Sequence, residues 1–382
     1  MKNLVSKILD FARNQIVLLV SWVLAAVSSA VIKPGINDVI SFIDFRSLAI
    51  LFCLMAVVQC FALNGFFNVI SVKIVSSVKR VWQLVLSLVV LCFFFSMLIT
   101  NDVALITFVP LTIMILNTAG LDNLMITVIV LETIAANTGS MLTPIGNPQN
   151  LYLYNLMQCD VLSFIKIMMP YSIMSLVLLV VSIMFIKDKN KKITIRQDLY
   201  VSDGKKVVII LNRHKIIFFA LLGIIALLSV FKVIPYYISL VLVIAGVIFS
   251  EKKALKSVDY TLLLTFIGFF IFTGNLGSSE RISSFISHVC YGNEVLCGCL
   301  LSQVISNVPC TLLLSSFTSN LDRLTVGVNI GGLGSIIASM ASLISYKLYI
   351  RQKDAKGGLY MLVFTVFNVS YLVILYSLYL II

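Results

Sequence analysis

Charge is scarce in this chain. Only 12% of its 382 residues are Asp, Glu, Lys or Arg, where soluble domains carry about a quarter. With a hydrophobic share of 60% and a mean hydropathy of +1.07, the composition excludes an ordinary soluble globule and describes a polytopic membrane protein. Histidine is scarcer still, with His214 and His288 alone, and the eight cysteines include no C-x-x-C pair. These shortages argue against a disulfide framework or a metal site. The cysteines, nearly all inside apolar runs, read as small buried hydrophobes. The nucleophile, acid, base or metal set of an enzyme is equally thin, so no enzymatic activity is expected. The net charge of +12 is not gathered on one basic face, which removes nucleic acid as a partner.

What the chain does have is a series of apolar stretches of spanning length, about 20 residues. They cover residues 15–32, 47–71, 163–186, 216–231, 233–250, 260–276 and 359–382. Two further stretches are interrupted: 81–116 by Thr100-Asn101-Asp102, and 295–317 by Ser306-Asn307-Val308-Pro309. At 1.5 Å per residue the first would run about 54 Å as one helix, so it reads as a helical hairpin with T-N-D at its tip. The segments 1–14, 72–80, 187–215, 251–259 and 347–356 hold 22 of the 28 Lys and Arg residues, which makes them cytoplasmic. The N-terminus is then inside, ahead of a first helix too long for a signal-peptide core. Nine crossings and two re-entrant hairpins put the C-terminus outside, although parity alone does not separate re-entrant from fully crossing hairpins.

The stretch around which the rest is organised is 136–150, reading A-N-T-G-S-M-L-T-P-I-G-N-P-Q-N. Pro144 and Pro148 remove backbone donors and Gly139 and Gly146 lower helix propensity, so a helix arriving through Leu131 and Ala135 is predicted to unwind here. Unwound backbone at bilayer depth survives only inside protein or beside a polar cavity. The competing reading is an ordinary water-exposed loop.

Three echoes in one order indicate an internal repeat. Asp44, opening one long apolar helix, returns as Asp259; Thr100-Asn101 returns as Ser306-Asn307; and Asn137, Gly139 and Ser140 return as Asn329, Gly331 and Gly332. The charge assignment puts Asp44 outside and Asp259 inside, so the repeat is inverted, as in many secondary transporters. The expected organisation is a first repeat over 1–186 (helices 15–32 and 47–71, hairpin 81–117, broken helix 122–158, helix 163–186). A basic cytoplasmic linker over 187–215 follows, then a linking helix and second repeat over 216–382 (hairpin 290–318, broken helix 323–348, helix 359–382).

Of 16 acidic residues only Asp102 and Glu132 lie deep within apolar sequence, where carboxylates are functional candidates by default. Asp102 can bind a cation or proton, or cap the helix that follows; Glu132 can do the same, or tie its helix to a neighbour. Asn101 and Asn307 stand where half-helices begin, and the free N–H groups there suit an anion. Unwound carbonyls near Gly139 and Gly331 suit sodium. Neutral oxygens favour sodium coupling; dependence on Asp102 or Glu132 favours protons, because only a carboxylate can carry one.

The segments T-N-D-V-A-L (100–105), E-T-I-A-A-N-T-G-S-M-L-T-P-I-G-N-P-Q-N (132–150), S-N-V-P (306–309) and V-N-I-G-G-L-G-S (328–335) resemble the ion transporter superfamily. That group contains citrate-transporter-like proteins, arsenite efflux permeases, sodium/proton antiporters and divalent anion/sodium symporters. The resemblance implies an all-α fold with a scaffold domain and a transport domain of two re-entrant hairpins and two broken helices, usually dimeric and moving as an elevator in the cytoplasmic membrane. By carry-over, Thr100, Asn101, Ser306 and Asn307 are tip ligands, and Asn137, Gly139, Ser140, Asn329, Gly331 and Gly332 are broken-helix ligands. Thr143, Asn147 and Ser335 join them on the substrate side. The pairs Asn101/Gly139 and Asn307/Gly331 are the candidate sodium positions, with Gly332, Asp102 and Glu132 also assigned to cation coupling. The dicarboxylate symporters carry S-N-T at both tips, whereas this chain has T-N-D and S-N-V, closer to the arsenite and citrate-like branches. The expected function is secondary transport of a small anion with sodium or protons, the rivals being sodium/proton antiport and arsenite-type efflux. No cofactor is expected beyond coupling ions.

Overall fold

The computed structural model describes residues 15–75, 78–193, 201–202, 205–206 and 212–382. The N-terminal segment 1–14 and residues 194–200, 203–204 and 207–211 of the basic linker lie outside the described residues, and so do the orientation readings that rest on them. The described chain forms nineteen α-helices. The first nine are α1 (Ile16–Ile32), α2 (Ile36–Phe42), α3 (Phe45–Leu63), α4 (Phe66–Val75), α5 (Val81–Ser96), α6 (Asn101–Thr118), α7 (Met125–Ser140), α8 (Pro148–Met157) and α9 (Val161–Met184). After the linker come α10 (Arg213–Val230), α11 (Tyr236–Glu251), α12 (Lys253–Lys256), α13 (Tyr260–Gly277), α14 (Glu280–Cys290), α15 (Glu294–Ile305), α16 (Asn307–Ser315), α17 (Leu321–Ile330), α18 (Met340–Tyr349) and α19 (Gly357–Ile381). A 3-10 turn at Asp122–Leu124 and two paired two-residue strands, Val201–Ser202 and Lys205–Lys206, complete the list. Among the described residues six helices, α3, α6, α9, α10, α13 and α19, are long and apolar enough to cross a membrane.

Polar side chains at the ends fix where these helices begin. Asp44 accepts the Ser47 N–H at 3.0 Å and Asp259 accepts the Leu262 N–H at 3.0 Å, with nearly equal backbone angles of −80°, 83° and −78°, 82°. Such a cap contributes about 1 kcal/mol. The predicted stretch 47–71 is not one helix: Gly65, at φ 71°, divides it into α3 and α4, because a left-handed residue cannot continue a right-handed helix. Nor is all of the linker free. Lys191 and Lys189 carbonyls accept the Val81 and Trp82 N–H groups at 3.1 and 2.9 Å, satisfying donors that the start of α5 leaves unpaired.

Close packing of small residues brings the long helices together. α13 lies on α1 with Gly268 against Ser21, where a Cβ would sit 2.7 Å from the Ser21 hydroxyl. Two turns further, Asn275 Nδ2 donates to Ser28 and Ser29 Oγ, each at 2.9 Å. The same device sets the interior. α5 packs on α7 at Gly139, and α15 packs on α17 at Gly327 and Gly331. Each hairpin's first arm is thus pressed against the first half of a broken helix.

Four chain breaks result. They fall at 97–100 and at Ser306 between the hairpin arms, and at 141–147 and 331–339 within the broken helices. The first broken helix does not unwind at Asn137 as expected; α7 continues through Ser140. Packing overrides propensity: Gly139 is the residue that admits the Phe93 carbonyl, while Thr138 and Ser140 return their hydroxyls to the Ile134 and Asn137 carbonyls at 2.8 and 3.0 Å. The break begins at Met141, where Pro144 has no N–H to offer the Ser140 carbonyl four residues earlier.

Candidate substrate site

Both hairpin tips are attached to a broken helix by the same kind of bond. The Asn101 N–H donates to the Gly146 carbonyl at 3.1 Å, and the Asn307 N–H donates to the Ala338 carbonyl at 2.9 Å. The tip of each hairpin is therefore held by the unwound part of one broken helix. Thr143 reinforces the first attachment, giving its hydroxyl to the Met97 carbonyl at 2.5 Å. Ser306 reinforces the second, with its hydroxyl 3.4 Å from the Ala338 carbonyl.

Amide side chains then connect the two halves. Asn101 Nδ2 donates to Asn137 Oδ1 at 3.0 Å, and the same oxygen accepts the Ser339 hydroxyl from the second broken helix at 3.0 Å. Asn137 Nδ2 lies 3.5 Å from the Ser342 hydroxyl. In a second cluster, Asn147 Nδ2 reaches Asn329 Oδ1 at 3.2 Å and Ser140 Oγ at 3.3 Å, while Asn329 Nδ2 donates to Asn150 Oδ1 at 2.7 Å. Asn147 also caps α8 by accepting the Asn150 N–H at 2.9 Å. The clusters are closed: Asn101, Asn137 and Asn329 are only 4 to 6% exposed.

Three side chains that the sequence reading did not single out hold this geometry. Asn150 Nδ2 donates to the Met141 and Thr143 carbonyls, both at 3.1 Å, and so braces the first break. Gln303 does the same for the second break, with Nε2 on the Gly331 and Leu333 carbonyls at 2.8 and 2.9 Å and Oε1 accepting the Ser335 N–H at 2.7 Å. Ser339 bridges the halves as described. An amide is suited to bracing because it offers two donors and an acceptor; its presence inside an apolar run was the signal available.

The remaining predicted residues fall as follows. Thr100 precedes α6 with no side-chain capping bond, and Asp102 sits in the first turn with Oδ1 buried and unpartnered. Glu132 is away from the tips: it is fully buried, Oε1 accepts the Thr112 hydroxyl at 2.5 Å, and Oε2 has no partner. The Gly139 carbonyl accepts the Leu142 N–H at 3.1 Å and stays within helical geometry. Gly332 lets Asn307 approach, since a Cβ there would lie 2.9 Å from Asn307 Nδ2. Ser335 belongs with Gln303, donating to its carbonyl at 3.0 Å, and not with the asparagines.

Ser306 is strained. Its φ of 74° and ψ of 155° place a non-glycine residue in a region used almost only by glycine, at a cost of about 1–3 kcal/mol. Strain of this kind persists where the surroundings over-determine the backbone, as the Ala338 attachment does here.

A sequence model described as citrate transporter matches residues 4–330. The chain belongs to the citrate transporter family. It thereby joins the ion transporter superfamily that its four motifs resemble. It is 34% identical over 345 residues to an uncharacterized transporter of Methanocaldococcus jannaschii, covering 88% of this chain and 90% of the relative. It is 30% identical over 310 residues to the inner membrane protein YbiR of Escherichia coli, 80% of each. A shorter similarity, 33% over 131 residues, relates 34% of this chain to 15% of the P protein of Homo sapiens. This member of the citrate transporter family is a membrane protein, and its full-length likeness is to transporters.

Proposed function

We propose that the chain is a secondary active transporter moving a small anion, a carboxylate or an oxyanion, across the cytoplasmic membrane with protons or sodium. The observation that carries this reading is the paired attachment of Asn101 to Gly146 and of Asn307 to Ala338, with the Asn101–Asn137 and Asn329–Asn147 bonds between them. Two half-helix starts converging on two unwound segments supply N–H groups for an anion and carbonyl oxygens for a cation. The matched caps at Asp44 and Asp259 and the matched breaks support an inverted repeat with two re-entrant hairpins. Together with the family, they support an elevator-type movement, with a homodimer in the bilayer as the working unit. The family's name favours a carboxylate as substrate, and the inner membrane relative favours the cytoplasmic membrane. The unpartnered Asp102 oxygen at one tip, opposite Val308 at the other, together with the buried Glu132, supports protons as a coupling ion.

The test uses purified protein in liposomes, offered citrate, succinate, arsenite or no anion, under a sodium gradient and then a pH gradient. Carboxylate uptake is expected under at least one gradient, and uptake under neither removes the reading. Asp102→Asn is expected to lose the response to the pH gradient while anion exchange continues. A full response in that variant returns Asp102 to a merely structural role.

Topology gives a second check. With the N-terminus inside and the C-terminus outside, a reporter active on only one side of the membrane should give opposite signals at the two ends. The same signal from both ends contradicts the inverted repeat.

A further inference from the structure

The helices fall into two groups that meet along a seam. α1, α3, α10, α11 and α13 pack on one another, while the hairpins and broken helices pack together with α9 and α19. Besides the connecting α4 and α14, α8 of the second group lies on α3 of the first, and α16 lies on α13. Tyr152 and Asn155 stand three residues apart on α8 and so share a face. The Tyr152 ring packs on Phe270 of α13, with centroids 5.4 Å apart and planes at 49°. Its hydroxyl accepts the Ser315 hydroxyl of α16 at 3.3 Å.

Asn155 makes a different contact. Its Nδ2 donates to Ser47 Oγ at 2.9 Å, across the seam from α8 to α3. Ser47 has no exposed surface, and its hydroxyl gives its own proton to Asp44 Oδ2, on the carboxylate that also caps α3 by accepting the Ser47 N–H. A hydroxyl bonded to a carboxylate keeps its lone pairs free and polarised, so Asn155 meets a strong acceptor. Among the described residues this is the one side-chain hydrogen bond found between the two helix groups. The amide's other end, Asn155 Oδ1, is buried without a partner. Such an orphan calls for an explanation. The seam is also unequal at its two caps. Asp259 caps α13 with the backbone angles of Asp44, but three residues on stands Leu262, where α3 has Ser47. The α13 cap therefore has no hydroxyl to offer a donor from the other group.

We propose that the Asn155–Ser47 bond is a one-sided latch: it holds the hairpins and broken helices in the position seen here and opens each time they slide along α3 and α13. This rests on the elevator-type reading given above. Sliding by one turn of helix is about 5.4 Å, which a 2.9 Å hydrogen bond does not survive. The apolar contact does survive, because Phe266 stands one turn along α13 from Phe270, with centroids 5.9 Å apart, and can receive the Tyr152 ring in its place. The unpaired Asn155 oxygen fits a contact made to open, tied down from one end only. With Leu262 at the matching cap, no equivalent bond holds the alternative position, so the latch biases the population toward this one.

The experiment measures the distance between the two groups in the full chain reconstituted in lipid, by pulsed electron spin resonance. The labels are carried on encoded amino acids at Phe249 of α11 and at Phe185, the residue after α9, which are 89% and 85% exposed. The native cysteines stay in place, and dilution with unlabelled chain leaves only distances within one protomer. Two distances are expected in the otherwise unchanged chain, one of them that of the structure. Asn155→Leu keeps the bulk of the side chain and removes the donor. It is expected to lower the ratio of the structure's distance to the other about threefold, the factor that an interhelical hydrogen bond of average strength represents. Ser47→Ala, which keeps the backbone cap, is expected to act in the same direction and carries the test if Asn155→Leu does not fold. An unchanged or raised ratio in either folded variant overturns the latch and leaves the sliding intact. A single distance, the same with and without these substitutions, means that the groups do not move past one another; the elevator-type reading then fails, and the latch goes with it.

Discussion

Alanine at Asn101 or at Asn307 is expected to lower flux in liposomes about a hundredfold, the scale on which misplacing a binding group by about 1 Å acts, while both variants fold. The two halves of that expectation have different physical origins. In membrane proteins a hydrogen bond between helices averages about 0.6 kcal/mol, against a net stability of about 5–15 kcal/mol. Asn101→Ala removes the 3.0 Å bond to Asn137 and the Oδ1 acceptor of the Asp102 N–H, but its backbone bond to Gly146 remains. Asn307→Ala loses less, since the Asn307 side chain has only a 3.5 Å contact with the Ser306 hydroxyl. Purified yield and thermal midpoint should therefore stay near wild type, with Asn101→Ala slightly the weaker of the two. Flux should fall, because each amide stands at the N-terminus of a half-helix where the anion would be held. Lys191→Ala, at an exposed linker position, is the silent control. Normal flux in either asparagine variant removes that tip from the site.

How much of this was legible beforehand varies with how local each signal is. Apolar runs mark the long helices because lipid demands about 20 such residues whatever they pack against. The tips at Thr100-Asn101 and Ser306-Asn307 were legible because Asn, Asp and Pro stand out inside an apolar run and stop helices by local chemistry. Asn150 and Gln303 were not singled out. Each sits within a helix, and its importance comes from carbonyls on a segment that only the fold brings near; Gln303 reaches Gly331 and Leu333, 28 and 30 residues away. The helix through Asn137 and Gly139 was misread for the same reason: glycine weakens an isolated helix, but here it admits a neighbouring backbone. The amphipathic α14 was legible in principle, with Glu280, Arg281, Ser284 and His288 on one side of Ile282, Phe285, Ile286 and Val289, yet it is too polar to stand out as a span. The φ of Ser306 had no sequence signal, since serine is not the residue that such a backbone prefers.

Gly139→Ala is expected to be strongly destabilising for a single added methyl group. A Cβ at that position would lie 2.1 Å from the Phe93 carbonyl oxygen, 2.6 Å from Ser96 Oγ and 2.9 Å from the Phe93 carbonyl carbon. Side chains can rotate away from a new methyl group, but a backbone carbonyl moves only with its helix, so α5 must separate from α7 along its last turn. That turn leads directly into the tip at Thr100 and Asn101. Overpacking a core costs about 1–3 kcal/mol and occasionally more; contact with main chain on the most closely packed helix pair of the first half puts this site at or above the upper end. The related position Gly331 has more room, with its nearest new contacts at 2.8 Å to the Gly327 carbonyl oxygen and 2.9 Å to Cys299 Cα. Gly331→Ala should therefore lose less. At Gly358, where a Cβ would meet nothing within 4 Å, alanine should be neutral or stabilising, by about 0.4–1 kcal/mol. Thermal unfolding of the three variants in detergent, with the monodisperse fraction after extraction as a second reading, orders them Gly139, Gly331, Gly358 from least to most stable. If Gly139→Ala unfolds at the wild-type temperature, α5 and α7 do not approach as closely as the Phe93 contact requires, and the first hairpin is not held against the broken helix by this glycine.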